Sequence, residues 1–253
     1  MTSSSFPEPL GLLREAGEVV GGKSNIFFKQ DYPDKMHTIV QLFLISLACL
    51  AISAHIKKKS YTLKVTEDVC LERGSSNYNY LPYLLIGTHP GYPLKRSLLK
   101  FQNIPCECTF PLKATLHIYF VYAHKASFMS VAQVPAVKRY LVAYTVLKSW
   151  TESQATRTKR NKWARWDNQW LKLGTDAESL ATSSTTVTPT PGRKWYTLDV
   201  TEQARDWKFG ANYGLLLRDT HERVQGRDFR FASNAYQDRS KHAYVTLTCW
   251  VQY

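Results

Sequence analysis

The sequence lacks the short motifs by which many hydrolases and metal sites are recognised. It contains no Gly-x-Ser-x-Gly elbow and no His-Glu-x-x-His pair, and no Cys-x-x-Cys pair occurs together with a matching pair of histidines. These absences argue against a serine hydrolase, a zinc protease and a structural zinc site. We therefore predict that the protein is not an enzyme and needs no cofactor, while a structural calcium ion in a loop stays compatible with the sequence.

Long hydrophobic runs and glycosylation signals are scarce as well. The longest apolar run covers residues 39–52 and is interrupted by serine. It is shorter than the stretch of about 20 apolar residues that spans a bilayer. No Asn-x-Ser/Thr sequence occurs, so asparagine-linked glycosylation is not expected. The sequence therefore predicts a protein that does not span a membrane.

The apolar run has the surroundings of a secretory signal peptide. It follows Met36 and ends in Ser53 and Ala54, which are small residues typical of a cleavage site. We predict a signal peptide over residues 36–54, and an unstructured leader or an upstream extension of the gene model over residues 1–35. The mature protein is then secreted and extracellular. The basic residues that follow the run favour a signal anchor as the alternative, because positive charge beside a cleavage site hinders translocation.

Acidic side chains are few. The chain has 20 acidic against 33 basic residues, a formal net charge of +13, and most of this excess lies beyond the predicted signal peptide. A positive field attracts polyanions such as nucleic acid, acidic phospholipid, and sulfated or uronic-acid polysaccharide. Because the predicted signal peptide exports the protein, we expect an acidic polysaccharide as its partner and no nucleic acid.

Cysteine is also sparse, and its number fits export. Of five cysteines, one lies in the predicted signal peptide, which leaves Cys70, Cys106, Cys108 and Cys249. Four cysteines allow three pairings. We favour Cys70 with Cys249, because the first and last strands of all-β domains are often neighbours, with Cys106 and Cys108 either joined in a loop or free. The alternative is that all four are buried thiols.

Alternation of apolar and polar residues predicts β-strands over most of the chain. It is clearest in residues 115–122 and 244–253. Helical periodicity is confined to one short stretch, in which Val200, Ala204 and Trp207 lie at positions i, i+4 and i+7. We therefore predict an all-β fold, an antiparallel jelly-roll β-sandwich with one short helix.

The segment from Thr156 to Trp170 interleaves basic and aromatic side chains. Guanidinium groups form paired hydrogen bonds with carboxylate or sulfate, and an aromatic ring stacks on the apolar side of a sugar. The glycan-binding residues predicted in this segment are Arg157, Lys159, Arg160, Lys162, Trp163, Arg165 and Trp166. Alternation along the strands also leaves Arg96, Arg218 and Arg230 opposite apolar neighbours, and these are further candidates. The alternative is a solvated basic loop whose tryptophans tuck under the sandwich.

Several motifs follow one another in a fixed order. They include Arg-Ser-Leu-Leu-Lys-Phe at 96–101, Ala-Thr-Leu-His-Ile-Tyr at 114–119, Trp-Tyr-Thr-Leu-Asp-Val-Thr at 195–201, Asn-Tyr-Gly-Leu-Leu-Leu at 212–217 and Ala-Tyr-Val-Thr-Leu at 243–247. In this order the chain resembles, over residues 65–253, the DNRLRE domain, also called carbohydrate-binding module family 96. The resemblance implies a jelly-roll β-sandwich that is commonly secreted and that in some members binds acidic polysaccharides such as alginate.

Two departures from the family pattern bear on function. Asn234 stands where an acidic residue is usual, and the segment from Arg157 to Trp170 is unusually basic. The sequence leaves the polymer and the oligomeric state open. A structural extracellular-matrix sandwich without sugar binding is one alternative, and a polysaccharide lyase is another, since a lyase needs only a basic neutraliser and a Tyr or His base. We predict a secreted, non-catalytic carbohydrate-binding module that recognises a uronic-acid or sulfated polysaccharide.

Overall fold

The computed structural model describes residues 37–46, 56–72, 74–88, 94–125, 139–181, 183–188, 193–222 and 227–252. Backbone contacts divide the chain into two units at residue 50. In the first unit, residues 37–46 form helix α1, whose side chains are exposed. The predicted leader and the end of the predicted signal peptide lie outside the described residues. Over these described ranges, no helix is both long enough and apolar enough to cross a bilayer.

The second unit is built from antiparallel β-strands. In the part of the chain that the structure describes they are β1 (Ile56–Leu71), β2 (Tyr83–Thr88), β3 (Arg96–Phe101), β4 (Cys108–Lys125), β5 (Arg139–Thr145), β6 (Ser183–Val187), β7 (Lys194–Asp199), β8 (Leu215–Asp219), β9 (Arg227–Ala232) and β10 (Tyr244–Gln252). Helix α2 (Thr201–Phe209) and a short 3₁₀ helix (Arg239–Lys241) interrupt them. The predicted all-β antiparallel sandwich with a short helix is confirmed, and its jelly-roll connectivity stays a prediction.

Strand β1 belongs to two sheets. Its first part, from Ile56 to Lys64, pairs with β10, and its last part, from Val65 to Leu71, pairs with β3. The register shifts just after Val65, where a β-bulge increases the local twist and lets the strand turn from one sheet into the other. The first sheet has the order β2-β9-β4-β10-β1, with β7 also paired to β4, and the second has the order β1-β3-β8-β5-β6.

The main core lies between the two sheets, because both contribute alternate residues to one apolar cluster. Phe120 and Phe231 represent the first sheet, with ring centroids 5.7 Å apart, and Leu99 and Leu217 represent the second. The alternation predicted in the sequence is confirmed on β4, where every second side chain from Ala114 to Phe120 is buried. Burial of this apolar surface is the main term that stabilises the fold.

Helix α2 closes over the same core. The predicted stripe of Val200, Ala204 and Trp207 is fully buried there, and the Trp207 ring stacks on Phe101 with centroids 5.6 Å apart. Only a helical spacing brings these three side chains to one face, so the sequence pattern and the packing agree.

A second apolar cluster covers the outer face of the second sheet. Residues 146–181, which we call the covering segment, contribute Trp150, Trp166 and Leu171 to it. They pack on Val142 of β5 and Leu216 of β8. The outer face of this sheet is therefore an interior surface, and basic side chains on it are not open to solvent.

One disulfide joins Cys108 to Cys249, with Cα atoms 5.4 Å apart. The predicted pairing of Cys70 with Cys249 is therefore wrong, and Cys106 and Cys108 are not joined. Strand β10 lies between β1 and β4, and the β1 residue opposite Cys249 is Lys59. Cys70 lies further along β1, in the part that has already turned into the second sheet.

The two remaining cysteines of this unit are free thiols, one buried and one exposed. The buried thiol of Cys70 accepts a hydrogen bond from the N–H of Leu85 at 3.0 Å, and burial raises its pKa to about 12. Cys70 is therefore an unreactive packing residue. The disulfide is compatible with an extracellular location, where such bonds persist.

Candidate functional site

The basic aromatic segment folds into a tight turn. Lys159 and Arg165 face each other in a short antiparallel bridge, and the N–H of Arg160 donates to the carbonyl of Ala164 at 3.0 Å. The side-chain oxygen of Asn161 accepts hydrogen bonds from the backbone N–H groups of Trp163 at 2.9 Å and Ala164 at 2.8 Å. An asparagine that bonds its own turn in this way fixes the backbone locally. We call residues 159–165 the basic turn.

Trp163 lies at the tip of the basic turn and is 85% exposed. No other tryptophan among the described residues is classed as exposed. The ammonium group of Lys162 lies 4.8 Å from the centre of its ring. The ring is thus held out from the sandwich, with a cation beside it and most of its surface open to a ligand.

The basic residues of this segment divide into two groups. Arg157 donates to the carbonyl of Gly74 at 3.2 Å, and Arg160 donates to the carbonyl of Ser149 at 2.9 Å, so both hold the turn in place. The other three side chains are exposed, and they are Lys159, Lys162 and Arg165. No acidic residue occurs between positions 157 and 166. The predicted site residues therefore do come together, but only three of the five cations are available to a ligand.

Trp166 is buried, which argues against its predicted role in glycan binding. Its ring is only 5% exposed and packs in the second apolar cluster, and its indole N–H donates to the carbonyl of Thr156 at 3.0 Å. A ring covered on both faces cannot stack on a sugar. The alternative in which tryptophans tuck under the sandwich is thus correct for Trp166, whereas Trp163 faces solvent.

Arg96 and Arg218 lie under the covering segment and share one carboxylate. Nε of Arg96 lies 3.0 Å from Glu222, and Arg218 approaches the same carboxylate at 2.6 Å. Arg96 is 8% exposed and also donates to the carbonyl groups of Trp170 and Leu171. These contacts argue against the predicted role of Arg96 and Arg218 in glycan binding, because both charges are paired with Glu222.

Arg230 lies on the other sheet, on its outer face. Its guanidinium carbon lies 5.0 Å from the ring centre of Tyr122 and 5.5 Å from that of Tyr83. The strand arginines consequently do not form one surface, since Arg230 is separated from Arg96 and Arg218 by the thickness of the sandwich. Its half-buried position between two rings is typical of a packing contact between a cation and aromatic faces.

Sequence reasoning missed a cleft beside β1. It has a volume of about 470 Å³ and lies between β1 and the chain that leads from the 3₁₀ helix into β10. Three basic residues and several hydroxyl and amide groups line it, among them Thr62, Lys64, Asn234, Arg239, His242 and Tyr244. The signal available in the sequence was the basic run that precedes β10, but nothing in the sequence placed that run against β1.

The described residues include no group of three or more His, Cys, Asp or Glu side chains arranged to hold a metal ion.

Comparison with known proteins does not assign this chain to a family. The resemblance to the DNRLRE domain rests on the motifs of the chain itself. A scan against protein-family models finds no model that matches the chain, and a search of the curated proteins finds no match either.

Proposed function

We propose that this protein is a secreted, non-catalytic module that binds an acidic polysaccharide through the basic turn. The observation that carries the proposal is the exposure of Trp163 at the tip of a rigid turn that also presents three free cations. The exposed ring beside three exposed cations offers one ligand both a stacking face and ionic contacts. The ligand that fits has flat apolar faces and repeated negative charges.

The chemistry of the turn separates two contributions to binding. The ring of Trp163 supplies a stacking surface for the C–H face of a sugar, which salt does not screen. Lys159, Lys162 and Arg165 supply ionic contacts with carboxylate or sulfate, which are screened over about 8 Å at physiological ionic strength. Since the turn is already fixed by Asn161 and Arg160, little conformational entropy is lost when a ligand binds.

The motifs shared with the DNRLRE domain support the same proposal, because that family includes modules that bind acidic polysaccharides. They also support jelly-roll connectivity for the sandwich. The disulfide supports an extracellular setting, in which polyanionic glycans rather than nucleic acids are the abundant polyanions.

The test compares two exposed aromatic residues. Trp163→Ala removes the ring at the turn, and Phe209→Ala removes a ring that is 70% exposed on helix α2. We expect Trp163→Ala to weaken binding to a uronic-acid or sulfated polymer by about tenfold, which corresponds to about 1.4 kcal/mol of lost stacking. Phe209→Ala should leave the affinity unchanged, and both variants should keep the parent melting temperature.

Three results would contradict the proposal. Equal affinity of the Trp163 variant and the parent, measured by calorimetry at low and physiological salt, would exclude stacking at the turn. Release of an unsaturated uronate, followed by its ultraviolet absorbance, would show a lyase instead of a non-catalytic module. Absence of binding to either polymer at low salt would favour the structural matrix alternative.

A further inference from the structure

The cleft beside β1 is lined by basic residues and by no Asp or Glu side chain. Lys64 projects from β1, Arg239 projects from the 3₁₀ helix, and both are exposed. His242 adds a third basic group, and no Asp or Glu lines the cleft. A concave surface lined by one sign of charge raises the local concentration of ligands of the opposite sign.

The walls of the cleft are held in position by hydrogen bonds, two of them partly buried. The N–H of Asn234 donates to the buried carboxyl group of Asp68 at 2.6 Å. Nε2 of His242 lies 2.8 Å from the carbonyl of Tyr236, and Asp238 caps the 3₁₀ helix by accepting from the N–H of Ser240 at 2.9 Å. The cleft is thus a formed site, and its volume of about 470 Å³ falls within the range of ligand-binding pockets.

An aromatic row continues from the cleft across the first sheet. Tyr244, which lines the cleft, stacks on His117 with ring centres 4.6 Å apart and an angle of 8° between the rings. The Trp195 ring lies 5.5 Å from Tyr244 and 5.3 Å from Tyr119. Burial lowers the pKa of His117 below its ordinary value, which favours its neutral form in this row.

The row has the length of an oligosaccharide. Lys64 on β1 is opposite Tyr244 on β10, which is opposite His117 on β4, which is opposite Thr197 on β7. Neighbouring strands lie about 4.8 Å apart, so the row spans about 14 Å from the cation to the far strand. A single small anion would fill only the cleft and leave the row uncovered.

We infer that the cleft and this aromatic row form a second site for a linear acidic glycan, with a carboxylate or sulfate group held between Lys64 and Arg239. The hydroxyl and amide groups of Thr62, Ser240 and Asn234 are suited to the sugar hydroxyls around that anionic group. The inference rests on the proposed function for the class of ligand, but it concerns residues that the basic turn does not include.

The experiment uses the whole chain labelled with ¹⁵N and two reporters. The indole N–H signals of Trp163 and Trp195, assigned with Trp163→Ala and Trp195→Phe, report on the turn and on the aromatic row separately. The probes are a uronic-acid hexasaccharide, a sulfated hexasaccharide and a neutral hexasaccharide of glucose. The two charged probes distinguish a carboxylate from a sulfate as the bound group.

Two double variants serve as controls for each other, because each replaces one exposed lysine and one exposed arginine. Lys64→Ser with Arg239→Ser changes the cleft, and Lys162→Ser with Arg165→Ser changes the basic turn. We expect the cleft variant to weaken binding reported by Trp195 by about tenfold with at least one charged probe, and to leave binding reported by Trp163 within about twofold. The turn variant should show the reverse.

The outcomes separate the two proposals. A Trp195 signal that does not move while Trp163 saturates overturns the inference and leaves the proposed function in place. A Trp163 signal that does not move while Trp195 saturates supports the inference and removes the turn from the proposed function. Equal weakening at both reporters by both variants overturns the inference, because the attraction is then a general effect of net charge. Equal binding of the neutral probe at Trp195 also overturns it.

Discussion

Asp68 shows how a single buried carboxyl group makes the stability of this fold depend on pH. It is 3% exposed, and burial raises its pKa from 3.8 to about 7, against the lowering effect of the N–H of Asn234 and with a further rise from the nearby Glu152. The folded state therefore holds this proton more tightly than the unfolded chain. The resulting stabilisation is fully present below about pH 4 and is lost as the pH rises through about 7.

Replacing Asp68 by Asn tests this directly, since the amide oxygen can still accept from Asn234 but cannot ionise. We expect the free energy of unfolding of Asp68→Asn, relative to the parent, to increase by on the order of 1–3 kcal/mol between pH 4 and pH 8. Denaturant unfolding at several pH values measures it. Asp199→Asn is the control: a hydrogen bond from the Thr201 hydroxyl lowers the pKa of Asp199, so that variant loses stability relative to the parent above about pH 4. A parallel profile for the Asp68 variant and the parent would refute the assignment.

Trp163 and Trp166 are neighbours in sequence with opposite environments. Trp166→Ala should cost about 3–5 kcal/mol of unfolding free energy, because it leaves a cavity under the covering segment and orphans the carbonyl of Thr156. Trp163→Ala should change stability by less than about 0.5 kcal/mol, since its ring is exposed. Thermal and chemical denaturation of both variants compare them. Similar losses in the two variants would contradict the burial difference.

The sequence singled out these residues but not their environments. Basic and aromatic side chains between positions 156 and 170 predicted a ligand surface, and three of the cations and Trp163 are exposed together on the basic turn. Which tryptophan faces solvent depends on the turn that Asn161 fixes and on the partners that Trp166 finds on the second sheet. Likewise, Arg96 looked available because its partner Glu222 is distant in the sequence.

At the scale of elements, Arg96 is the link between the covering segment and the second sheet. It donates to the carbonyl groups of Trp170 and Leu171, whose φ angles are 71° and 63°. Such angles cost a non-glycine residue about 1–3 kcal/mol and persist only where surrounding contacts impose them. The bonds from Arg96 are among the contacts that hold this backbone.

Arg96→Met should therefore loosen the covering segment. We expect a loss of about 3–5 kcal/mol, because Glu222 loses one partner in a buried setting, and faster amide hydrogen exchange throughout the basic turn. Arg205→Met is the matched control, since Arg205 pairs with the exposed Glu202 on α2 and its loss should cost about 0–1 kcal/mol. Hydrogen exchange read by mass spectrometry follows both. Unchanged exchange in the turn would show that other contacts hold the segment.

Local elements were predictable where one face meets the core. The period of two in β4 and the helical spacing in α2 both follow from a buried face, so sequence and structure agree there. The division of β1 between two sheets was not predictable, because it depends on a bulge after Val65 and on which strands lie on either side. The covering segment has no repeating pattern at all, since it packs as irregular chain around tryptophan side chains.

For the whole molecule, the Cys108–Cys249 bond closes a loop over a sequence separation of 141 residues. A crosslink of this length restricts the unfolded chain, and its loss should cost about 2–5 kcal/mol. We expect Cys108→Ser with Cys249→Ser to lower the melting temperature, and Cys106→Ser, at an exposed free thiol, to leave it unchanged. Calorimetry measures both, and a peptide map without reduction identifies the bond. Recovery of Cys70 crosslinked to Cys249 in that map would contradict the structure.

The pairing of the cysteines shows why tertiary neighbours were harder to predict than strands. The expectation that β1 and the last strand are adjacent is met, because β1 pairs with β10. The error lay in the partner, because the disulfide joins Cys249 to Cys108 on β4, the other neighbour of β10, while the β1 residue opposite Cys249 is Lys59. Register is set by the whole set of side chains that the sheets bury, so no single segment of sequence contains it.

The same disulfide decides how this domain would bear mechanical load. Cys249 lies near the end of β10, and its bond leads to β4, which pairs with three strands of the first sheet. A pull applied beyond β10 is therefore transmitted through a covalent bond into the centre of that sheet before the hydrogen bonds between β10 and β4 can open in sequence. Tension on the other side enters through β1, which passes it to both sheets. Load on β10 is therefore borne by the middle of the first sheet and not by an edge strand.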